Sequence, residues 1–436
     1  MARAKKEAAL TPEERLQVAL VPDWEWPYKL PGNWCWTYFK SISTIQTGRK
    51  DANYGSDEGK YPFFTCAAEP IRCHGYSFDC RAILLAGNGD INNISRYNGK
   101  FEAYQRTYVV KIAEPLCFDY IFYWFKYRWF DFNKGKMFGT AIPYIRLGNL
   151  QEFPTPIPPL AEQHRIVDRI ESLFAKLDEA KEKAQAVVDS FETRKAAILH
   201  KAFTGELTAK WREERGVGMD SWEKKSVGEL CISLKYGTAK KSDASGNVVV
   251  LRMGNLQQGE IDWSDLAYSN DPDDIERYKL FPGDVLFNRT NSAALVGKTA
   301  IYRGEHPAIY AGYLIKLDYD HDKIIGDYLN YALNTLDAKK YCNSVKTDGV
   351  NQSNINAKKI GAYSFNVPNI PEQEKIVSVI QKLLSKEQQS KAAAEAVLDQ
   401  IELMKKSILA RAFRGELGTN DPSEESAVEL LKRTIL

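Results

Sequence analysis

Hydrophobic residues recur every three or four positions along two long stretches of the chain, 158–208 and 368–418. In the first stretch this spacing starts at Ile166 and continues for more than four heptads, with charged residues at the positions between. A hydrophobic seam of that length is typical of a coiled coil. Prolines precede each stretch and a glycine marks its end, as expected for helix boundaries. The pattern therefore predicts two long helices, each about 60 Å in length.

The predicted seam is hydrophobic with few exceptions. In the first helix it comprises Ile166, Ile170, Leu173, Leu177, Val187, Phe191 and Ile198, and in the second Ile376, Ile380, Leu383, Val397, Ile401, Met404 and Ile408. Glu387 and Ser390 interrupt the second seam, which would either loosen its middle or set its register. Two separate amphipathic helices, each packed on its own domain, are the alternative interpretation, and the equal lengths of the stretches favour a pair.

The two stretches are also copies of one sequence. A shift of 210 residues superimposes them without a gap, with 22 identities in 51 positions. Solenoid repeats have periods of about 20–50 residues, so this is a duplicated domain-sized unit. At the same shift Gly139 and Ile145 meet Gly349 and Ile355, which extends the duplication into the segments before each helix.

Short β-prone and aromatic segments, separated by Gly, Asn and Pro, precede each long helix. The chain is therefore divided into an N-terminal helical extension (1–23), a first globular domain (24–157), a first long helix (158–208), a connector (209–221), a second globular domain (222–367), a second long helix (368–418) and a tail helix (419–436). The sequence predicts an α+β fold, in which two mixed α/β domains in a pseudo-twofold arrangement are joined by two long helices that form an antiparallel coiled coil.

Local signals predict several shorter elements. Residues 1–10 are expected to fray, Thr11 opens a short helix through a capping box, and Asp421 is expected to do the same for the tail helix. Strands are expected at 61–65, 82–86, 106–112, 247–252, 284–288 and 299–302, and helices at 118–130 and 326–341.

Composition narrows the class of protein. A length of 436 residues allows two or three domains, and 44% hydrophobic with 27% charged residues is ordinary for a soluble protein. Seven scattered cysteines indicate reduced thiols in a cytoplasm rather than a disulfide framework. The chain has no apolar run of 18 residues, so a membrane span is not expected.

Catalytic motifs are incomplete. The segment 296–300 resembles the end of a phosphate-binding loop, but Ser292 stands where that loop needs a glycine. Cys66, Cys73, His74 and Cys80 resemble a metal cluster, although their spacing is wider than in structural zinc sites. We therefore expect no catalytic residues, metal or cofactor, with an enzyme built on the Cys66–Cys80 cluster as the alternative.

Amide, guanidinium and hydroxyl side chains cluster in loops of both globular domains, and such groups can contact base edges. The candidates are Asn88, Lys100, Gln105, Arg106, Lys134, Lys136 and Thr140 in the first domain, and Arg252, Asn288, Arg289, Thr290, Asn291 and Ser292 in the second. Lys346, Asn351, Gln352, Ser353 and Asn354 join them at an expected helix start. The alternative for any single Asn, Thr or Gly among these segments is that it simply caps a turn.

Net charge alone does not indicate nucleic acid. Residues 21–157 carry a formal charge of +3, residues 218–367 a charge of −1, and the whole chain +2. A protein that reads duplex DNA has a basic footprint, so the basic residues would have to gather on one face. A coiled-coil adaptor that organises proteins without binding DNA is the alternative.

Together these features resemble the specificity (S) subunits of type I restriction–modification systems. The most specific are the paired Glu-Gln steps at Glu162–Gln163 and Glu372–Gln373, each followed by a helix that ends in an Ala-Phe-x-Gly-Glu-Leu motif at 202–207 and 412–417. GDVLFNRTNS at 283–292, GVNQSNI at 349–355 and GKFEAYQRTYVV at 99–110 also look like the family's target-recognition domains.

The resemblance implies a function in host defence and DNA modification, in a bacterial or archaeal cytoplasm. Each globular domain would bind half of a split, asymmetric target in double-stranded DNA. The helices would act as a ruler for the gap and as the dock for two methyltransferase (M) subunits, with restriction/translocase (R) subunits completing the complex. S-adenosylmethionine, ATP and Mg would be used by those partners, which leaves this chain non-catalytic.

Overall fold

The computed structural model describes residues 11–435. The fraying expected for residues 1–10, and the last residue of the tail, lie outside that range. The chain forms two compact units. Unit 1 comprises the residues up to Ala184 together with those from Ala396 onward, and unit 2 comprises Gln185–Glu395. The first unit is therefore built from two separate parts of the sequence.

The elements follow one another in the order globular segment, long helix, globular segment, long helix. The helices are α1 (Pro12–Ala19), α2 (Phe118–Asn133), α3 (Leu147–Gln151), α4 (Leu160–Asp189), α5 (Phe191–Phe203), α6 (Ala209–Glu213), α7 (Val227–Leu230), α8 (Pro272–Tyr278), α9 (Gly326–Leu333), α10 (Leu336–Val345), α11 (Ala357–Gly361), α12 (Ile370–Ala412) and α13 (Ala427–Ile435). Short 3-10 turns lie at Asp23–Glu25, Phe39–Ser41, Ala52–Tyr54, Glu206–Thr208 and Met219–Ser221.

The strands of the first globular segment are β1 (Cys35–Tyr38), β2 (Ser43–Thr47), β3 (Tyr61–Phe64), β4 (Ile71–Cys73), β5 (Phe78–Ala86), β6 (Ile94–Ala103), β7 (Thr107–Ile112) and β8 (Pro154–Ile157). Those of the second are β9 (Glu223–Ser226), β10 (Cys231–Tyr236), β11 (Val248–Leu251), β12 (Leu256–Gln257), β13 (Glu260–Ile261), β14 (Tyr268–Ser269), β15 (Val285–Asn288), β16 (Thr290–Asn291), β17 (Thr299–Ile301), β18 (Ala308–Tyr310), β19 (Leu314–Tyr319), β20 (Thr347–Asp348), β21 (Ser353–Asn354) and β22 (Ser364–Val367).

In unit 1 a six-stranded sheet has the order β2-β7-β5-β6-β3-β4, and β1 pairs with β8. All pairs are antiparallel except β3 with β6. Helix α2 supplies most of the aromatic core, and its Trp124 is fully buried. Phe413, just after α12, lies 5.0 Å from Trp124 between ring centroids. The end of the second long helix is thus part of the hydrophobic core of unit 1.

Unit 2 divides its strands among smaller sheets, with the orders β10-β19-β15-β17, β14-β11-β18, β16-β21-β20, β12-β13 and β22-β9. Phe203, the last residue of α5, packs on Tyr328 of α9 at 4.9 Å between ring centroids. Phe203 and Phe413 occupy the same position in the duplicated sequence. Each unit therefore receives the same aromatic residue from the end of a long helix.

Most of the sequence predictions for single elements are confirmed. Thr11 caps α1 through a complete capping box, and the six expected strands and the buried aromatic helix are present. The helix expected at 326–341 forms as two helices, α9 and α10, because Asn334 ends the first and Thr335 caps the second by accepting a hydrogen bond from the Ala338 N–H at 3.2 Å. The capping box expected at Asp421 is wrong, since Glu424 instead binds Arg165 at 2.8 Å and the tail helix begins at Ala427.

The prediction of one unbroken helix from 158 to 208 is also wrong. The helix is interrupted at Ser190, whose hydroxyl donates to the Ala186 carbonyl at 2.5 Å. The Arg194 guanidinium donates to the Val187 carbonyl at 3.1 Å. Side-chain hydrogen bonds to carbonyls of the preceding turn compete with the helix ladder and bend helices. The second long helix runs unbroken through all 43 residues of α12.

Within each unit the two long helices lie side by side and antiparallel. In unit 1, Lys405 is 2.5 Å from Asp178 and Lys181 is 3.4 Å from Glu402. In unit 2, Arg194 is 2.5 Å from Glu387. In unit 1 the partner's number falls as the residue number rises, and in unit 2 the contacts Phe191–Lys391 and Arg194–Glu387 follow the same order, which defines the antiparallel direction. Glu387 interrupts the hydrophobic seam and is paired there with a cation, as expected of a residue that sets register.

The seam differs from its prediction in the second half of α12. Val397 is 42% exposed and Met404 is 46% exposed, so neither lies in the seam. Lys391, Leu398 and Lys405 turn inward instead, and the two lysines lie over the rings of Phe191 and Phe174 at 5.0 and 5.3 Å from the ring centroids. A straight helix has 3.6 rather than 3.5 residues per turn. Positions assigned every seven residues from one end of the helix therefore move progressively away from the contact face.

The remaining predicted seam residues divide into two groups. Ile166, Ile170, Ile376 and Ile380 belong to the hydrophobic cores of the globular parts, where their exposure is zero. Phe191 and Ile401 are buried farther along the helices, whereas Leu173, Leu177, Val187, Ile198, Leu383 and Ile408 are half-buried. The two ends of the seam thus pack on a globular core and only its middle forms a helix pair.

A buried glutamate lies at the start of each long helix. In unit 1, Glu162 is completely buried and accepts hydrogen bonds from Trp34 at 2.8 Å, Asn420 at 2.9 Å and Thr419 at 3.3 Å. Burial raises the pKa of this carboxyl group, and the three hydrogen bonds oppose that rise. Two of its three donors follow the second long helix, so the network joins the two parts of the sequence that form unit 1.

Unit 2 contains the same arrangement, except that one of the donors to the buried glutamate is a positively charged arginine. Glu372 is completely buried and accepts from Arg212 at 2.6 Å, Thr208 at 2.7 Å and Trp222 at 3.0 Å. Arg212 and Thr208 follow the first long helix. In both units, therefore, the glutamate of one repeat is satisfied by residues that follow the helix of the other repeat.

The glutamine after each glutamate fixes the globular segment to the helix start. Gln163 accepts from the Cys117 N–H at 2.9 Å and donates to the Pro158 carbonyl at 3.0 Å. Gln373 accepts from the Ile325 N–H at 3.0 Å and donates to the Pro368 carbonyl at 2.8 Å. Both glutamines are fully buried, so the repeated Glu-Gln step is explained by two matching hydrogen-bond networks.

Replacing Glu372 with Ala should strongly destabilise unit 2. The substitution leaves the Arg212 guanidinium buried without its carboxylate, and removing one partner of a buried ion pair costs about 3–5 kcal/mol. Chemical unfolding followed by tryptophan fluorescence measures the change. Glu374→Ala, at an exposed position two residues later, is the matched control. Equal stability of the two variants would show that the network contributes little.

Candidate nucleic-acid interface

Three segments of unit 1 meet beside the end of strand β5. The Gly87 N–H donates to the Arg106 carbonyl at 2.8 Å, and the Gly87 carbonyl accepts from the Ile145 N–H at 2.9 Å. Residues 138–144 form a hairpin closed by two hydrogen bonds between Phe138 and Tyr144, each 2.9 Å long. We call this segment the first hairpin. It lies against the strand-end loop, because Asn88 pairs with Tyr144.

Gly87 is required for this approach. A Cβ atom at this position would lie 2.3 Å from the Arg106 carbonyl oxygen, which is closer than any side chain tolerates. A cleft of about 320 Å³ opens at the same place, and Thr47, Gln105, Arg106 and Tyr108 line it together with Gly87 and Ile145. The absence of a side chain at Gly87 therefore allows the end of strand β5 to approach the turn at Arg106 closely.

Unit 2 brings the corresponding segments together. Residues 347–354 form a second hairpin, made of β20 and β21, and β16 pairs with its β21 strand. The Arg289 carbonyl accepts from the Ile355 N–H at 2.8 Å, as the Gly87 carbonyl accepts from Ile145 in unit 1. The Arg289 N–H donates to the Tyr313 carbonyl at 2.9 Å, as Gly87 donates to Arg106. The two units thus share one backbone arrangement.

The sequence contained only part of this equivalence. Ile145 and Ile355 match at the shift of 210, and the structure gives these two residues the same hydrogen bond. The strand ends match at a shift of 202, from Gly87 to Arg289, because the intervening segments differ in length. Glycine and arginine share no side-chain chemistry, so these two residues do not by themselves mark the match in the sequence.

The helix start expected at 346–354 is wrong. The segment folds into the second hairpin because the Gly349 N–H donates to the Gln352 carbonyl at 2.8 Å and Ser353 bonds the Asp348 carboxylate. The next helix begins later, after Asn356, whose side chain accepts from the Lys359 N–H at 2.9 Å. The polar residues of this segment therefore extend from a β-ribbon and not from a helix N-terminus.

The structure brings most of the candidate residues to these surfaces. Asn88, Gln105, Arg106 and Thr140 lie on the strand-end loop, the cleft and the first hairpin, and the exposed Lys134 and Lys136 shortly precede that hairpin. Arg289, Thr290, Asn291, Ser292, Lys346, Asn351, Gln352 and Asn354 lie on the second hairpin and the segment beside it. Gln105 is already bonded to Asp51 at 2.7 Å.

Two candidates are structural residues. Asn288 is completely buried, where its side chain donates to the Met253 carbonyl at 3.4 Å and accepts from the Thr290 N–H at 3.2 Å. Ser353 is 2% exposed and is bonded to Asp348. Their side chains cannot reach a base edge in this structure. Both were expected to contact DNA, and their burial in this structure does not fit that expectation.

Two further candidates lie apart from the hairpins. Lys100 is on strand β6, with its ammonium 4.8 Å from the Tyr76 ring centroid. Arg252 pairs with Asp265 at 2.9 Å. Neither residue belongs to the strand-end loops or the hairpins.

Arg289 is held from two sides. Its guanidinium lies 4.8 Å from the Tyr236 ring centroid and donates to the Gly312 carbonyl at 3.2 Å. Its Nε atom is buried and has no hydrogen-bond partner. The side chain is therefore fixed in position by the fold.

The cysteine cluster has ordinary structural contacts. Cys73 is buried, with its thiol 3.0 Å from the Gly75 carbonyl, and His74 is 3.0 Å from the Ser56 hydroxyl. Among residues 11–435, no group of three or more His, Cys, Asp or Glu side chains is arranged to hold a metal ion. Over the same part of the chain, no helix is both long and apolar enough to cross a membrane.

Comparison with known proteins agrees with this architecture. The family model of the type I restriction modification DNA specificity domain matches twice, at residues 31–188 and 219–397. The specificity subunit of the type I restriction enzyme EcoDI from Escherichia coli is 27% identical over 428 residues, covering 89% of this chain and 90% of the relative. The EcoKI specificity subunit from Escherichia coli K12 is 28% identical over 288 residues, covering 64% of this chain and 61% of the relative.

Solved structures show the same fold. A chain from a structure of complex assembly and conformational transition in a type I R-M system matches with a TM-score of 0.66 at 20% identity, over 90% of this chain and all of the other. The HsdS subunit from Thermoanaerobacter tengcongensis matches with a TM-score of 0.59 at 20% identity and the same coverage. With two matched regions that span most of its length, the chain belongs to the family of type I restriction–modification DNA specificity subunits.

Proposed function

We propose that each unit reads one half of a bipartite target in double-stranded DNA through its hairpin and the strand-end loop beside it. The observation that supports this most is the matching hydrogen bond in the two units, from the Ile145 N–H to the Gly87 carbonyl and from the Ile355 N–H to the Arg289 carbonyl. The major groove admits a two-stranded β-ribbon, so a hairpin of this size fits the proposed role.

The target would be asymmetric, because like backbones carry unlike side chains. The first hairpin presents Phe138, Thr140 and Ile142, whereas the second presents Val350 and Gln352 at its tip. Direct readout depends on the side chains that reach base edges. Two different sets of side chains therefore select two different half-sites.

The chain itself would be non-catalytic. We propose that two methyltransferase subunits and the restriction/translocase subunits supply the reactions, with S-adenosylmethionine, ATP and Mg bound by those partners in a bacterial or archaeal cytoplasm. The seven segments inferred from the sequence remain our proposed division of the chain.

A coiled-coil adaptor is the alternative function, and the weak net charge of residues 218–367 favours it. Sequence-dependent gel shifts with the methyltransferase partner would exclude the adaptor.

We further propose that the paired helices set the spacing between the half-sites. Deleting 182–188 together with 395–401 removes one heptad from each helix and keeps the ion pairs Asp178–Lys405 and Arg194–Glu387. At 1.5 Å per residue the helices shorten by about 10 Å, which is about 3 base pairs. Sequencing of the methylated sites should show a spacer shorter by about that number, with both half-sites unchanged.

The control for the ruler is a deletion of 182–188 alone. It shifts one helix against the other and breaks the antiparallel pairing, so this variant should lose activity rather than shorten the spacer. A double deletion that methylates the original spacing would contradict the ruler.

The long helices would also dock the methyltransferase subunits. Leu403 on α12 is 65% exposed, and Val397 and Met404 on the same helix are exposed as well. Exposed apolar side chains grouped on one element are typical of protein contact sites. Leu403→Glu combined with Met404→Glu should weaken co-purification of the methyltransferase at least tenfold. The exposed pair Lys382→Glu and Glu374→Lys is the control, and equal recovery with both variants would contradict the dock.

Arg289→Ala should weaken binding to the target by about 1–3 kcal/mol if the guanidinium reads a base. The loss should be confined to one base pair of one half-site, measured by competition between duplexes with single substitutions. A uniform loss on all duplexes, with a shallower salt dependence, would assign Arg289 to a phosphate instead.

A further inference from the structure

The tip of the second hairpin carries an apolar side chain with no packing partner in its unit. Val350 is 100% exposed, and the polar side chains of Asn351 and Gln352 beside it are exposed as well. A fully exposed valine side chain contributes no hydrophobic stabilisation to the isolated chain. Its exposure is therefore understandable if the side chain is buried in a complex.

The hairpin holds Val350 in a fixed position. Below the tip the Gly349 N–H donates to the Gln352 carbonyl at 2.8 Å, and Ser353 is bonded to Asp348. The Lys359 ammonium donates to the Thr347 hydroxyl at 2.6 Å, and Asn354 donates to the Thr290 hydroxyl at 2.8 Å. A tip anchored on both strands loses little conformational entropy when it binds.

Charge and chemistry at the hairpin favour DNA over a protein partner. Lys346 and Lys359 lie at its base, where their ammonium groups are bonded to the Ala293 carbonyl and the Thr347 hydroxyl, and the exposed Lys358 follows, where a cation can approach a phosphate. The base edges in the major groove display hydrogen-bonding groups and one apolar group, the 5-methyl of thymine. Asn351 and Gln352 match the former and Val350 matches the latter.

We propose that Val350 is a specificity-determining residue that packs on the 5-methyl group of one thymine in the half-site read by unit 2. This proposal rests on the proposed function and names the contact made by one side chain. The first hairpin has an apolar side chain in a similar place, Ile142, which is 61% exposed. Two unlike hairpins thus share an exposed aliphatic residue, although their other side chains differ.

The test removes methyl groups either from the DNA base or from the Val350 side chain. The complex of this chain with its methyltransferase subunits is titrated with target duplexes in which each thymine in turn is replaced by deoxyuridine, which lacks only the 5-methyl. For the unmodified chain, one replacement should weaken binding about fourfold, the equivalent of about 0.8 kcal/mol for one buried methyl-sized group. Val350→Ala should weaken binding to thymine DNA by a similar factor.

The decisive result is the combination. With Val350→Ala, deoxyuridine at that one position should cause no further loss, whereas Ile232→Ala, which changes another exposed aliphatic residue (74% exposed), should leave the fourfold effect intact. Additive losses at every position would overturn the thymine contact, as would a Val350→Ala loss that is equal on all duplexes. Failure of Val350→Ala to retain the methyltransferase would overturn it in favour of a protein contact. If the unmodified complex showed no sequence preference, the proposed function itself would fail.

Discussion

The carboxylates of Glu162 and Glu372 constrain the whole chain. Each is completely buried at the first turn of a long helix, and a buried carboxylate is tolerated only when it is hydrogen-bonded or paired. For Glu162 the chain supplies Trp34 from the same repeat, with Thr419 and Asn420 from beyond the other helix. In neither unit does one repeat alone supply all the hydrogen-bond donors to the buried glutamate. The duplication is therefore part of how each unit folds.

The same constraint positions the candidate interface. Gln163 and Gln373 connect each helix start to the globular segment, at the Cys117 and Ile325 backbone amides. The hairpins extend from those globular segments and are fixed in turn by the strand ends at Gly87 and Arg289. A series of hydrogen bonds with matching geometry thus fixes the backbone, while the side chains at the two hairpin tips differ. The two halves of one chain can in this way carry two different surfaces on similar scaffolds.

The helical periodicity and the duplication predicted the long helices from the sequence. Contacts between residues that lie far apart in the chain could not be predicted from it. The helical period located α4 and α12, but the interruption at Ser190 involves side-chain bonds to the Ala186 and Val187 carbonyls. Residue type singled out Asn288 for base contact, yet a strand buries it completely. The tip of the second hairpin looked like a helix start, because Asn and Ser cap helices and turns equally well. Val350 carries no polar group, so its residue type gives no signal of base contact in the sequence.

The claim that the two hairpins contact DNA is tested most directly by site-specific photocrosslinking. A photoreactive amino acid is placed at Thr140 in one protein and at Gln352 in another, and each is assembled with its partner subunits on the methylated target. The account predicts that Thr140 crosslinks to bases of one half-site and Gln352 to bases of the other. Crosslinks from both positions to the same half-site, or from neither to DNA, would contradict it.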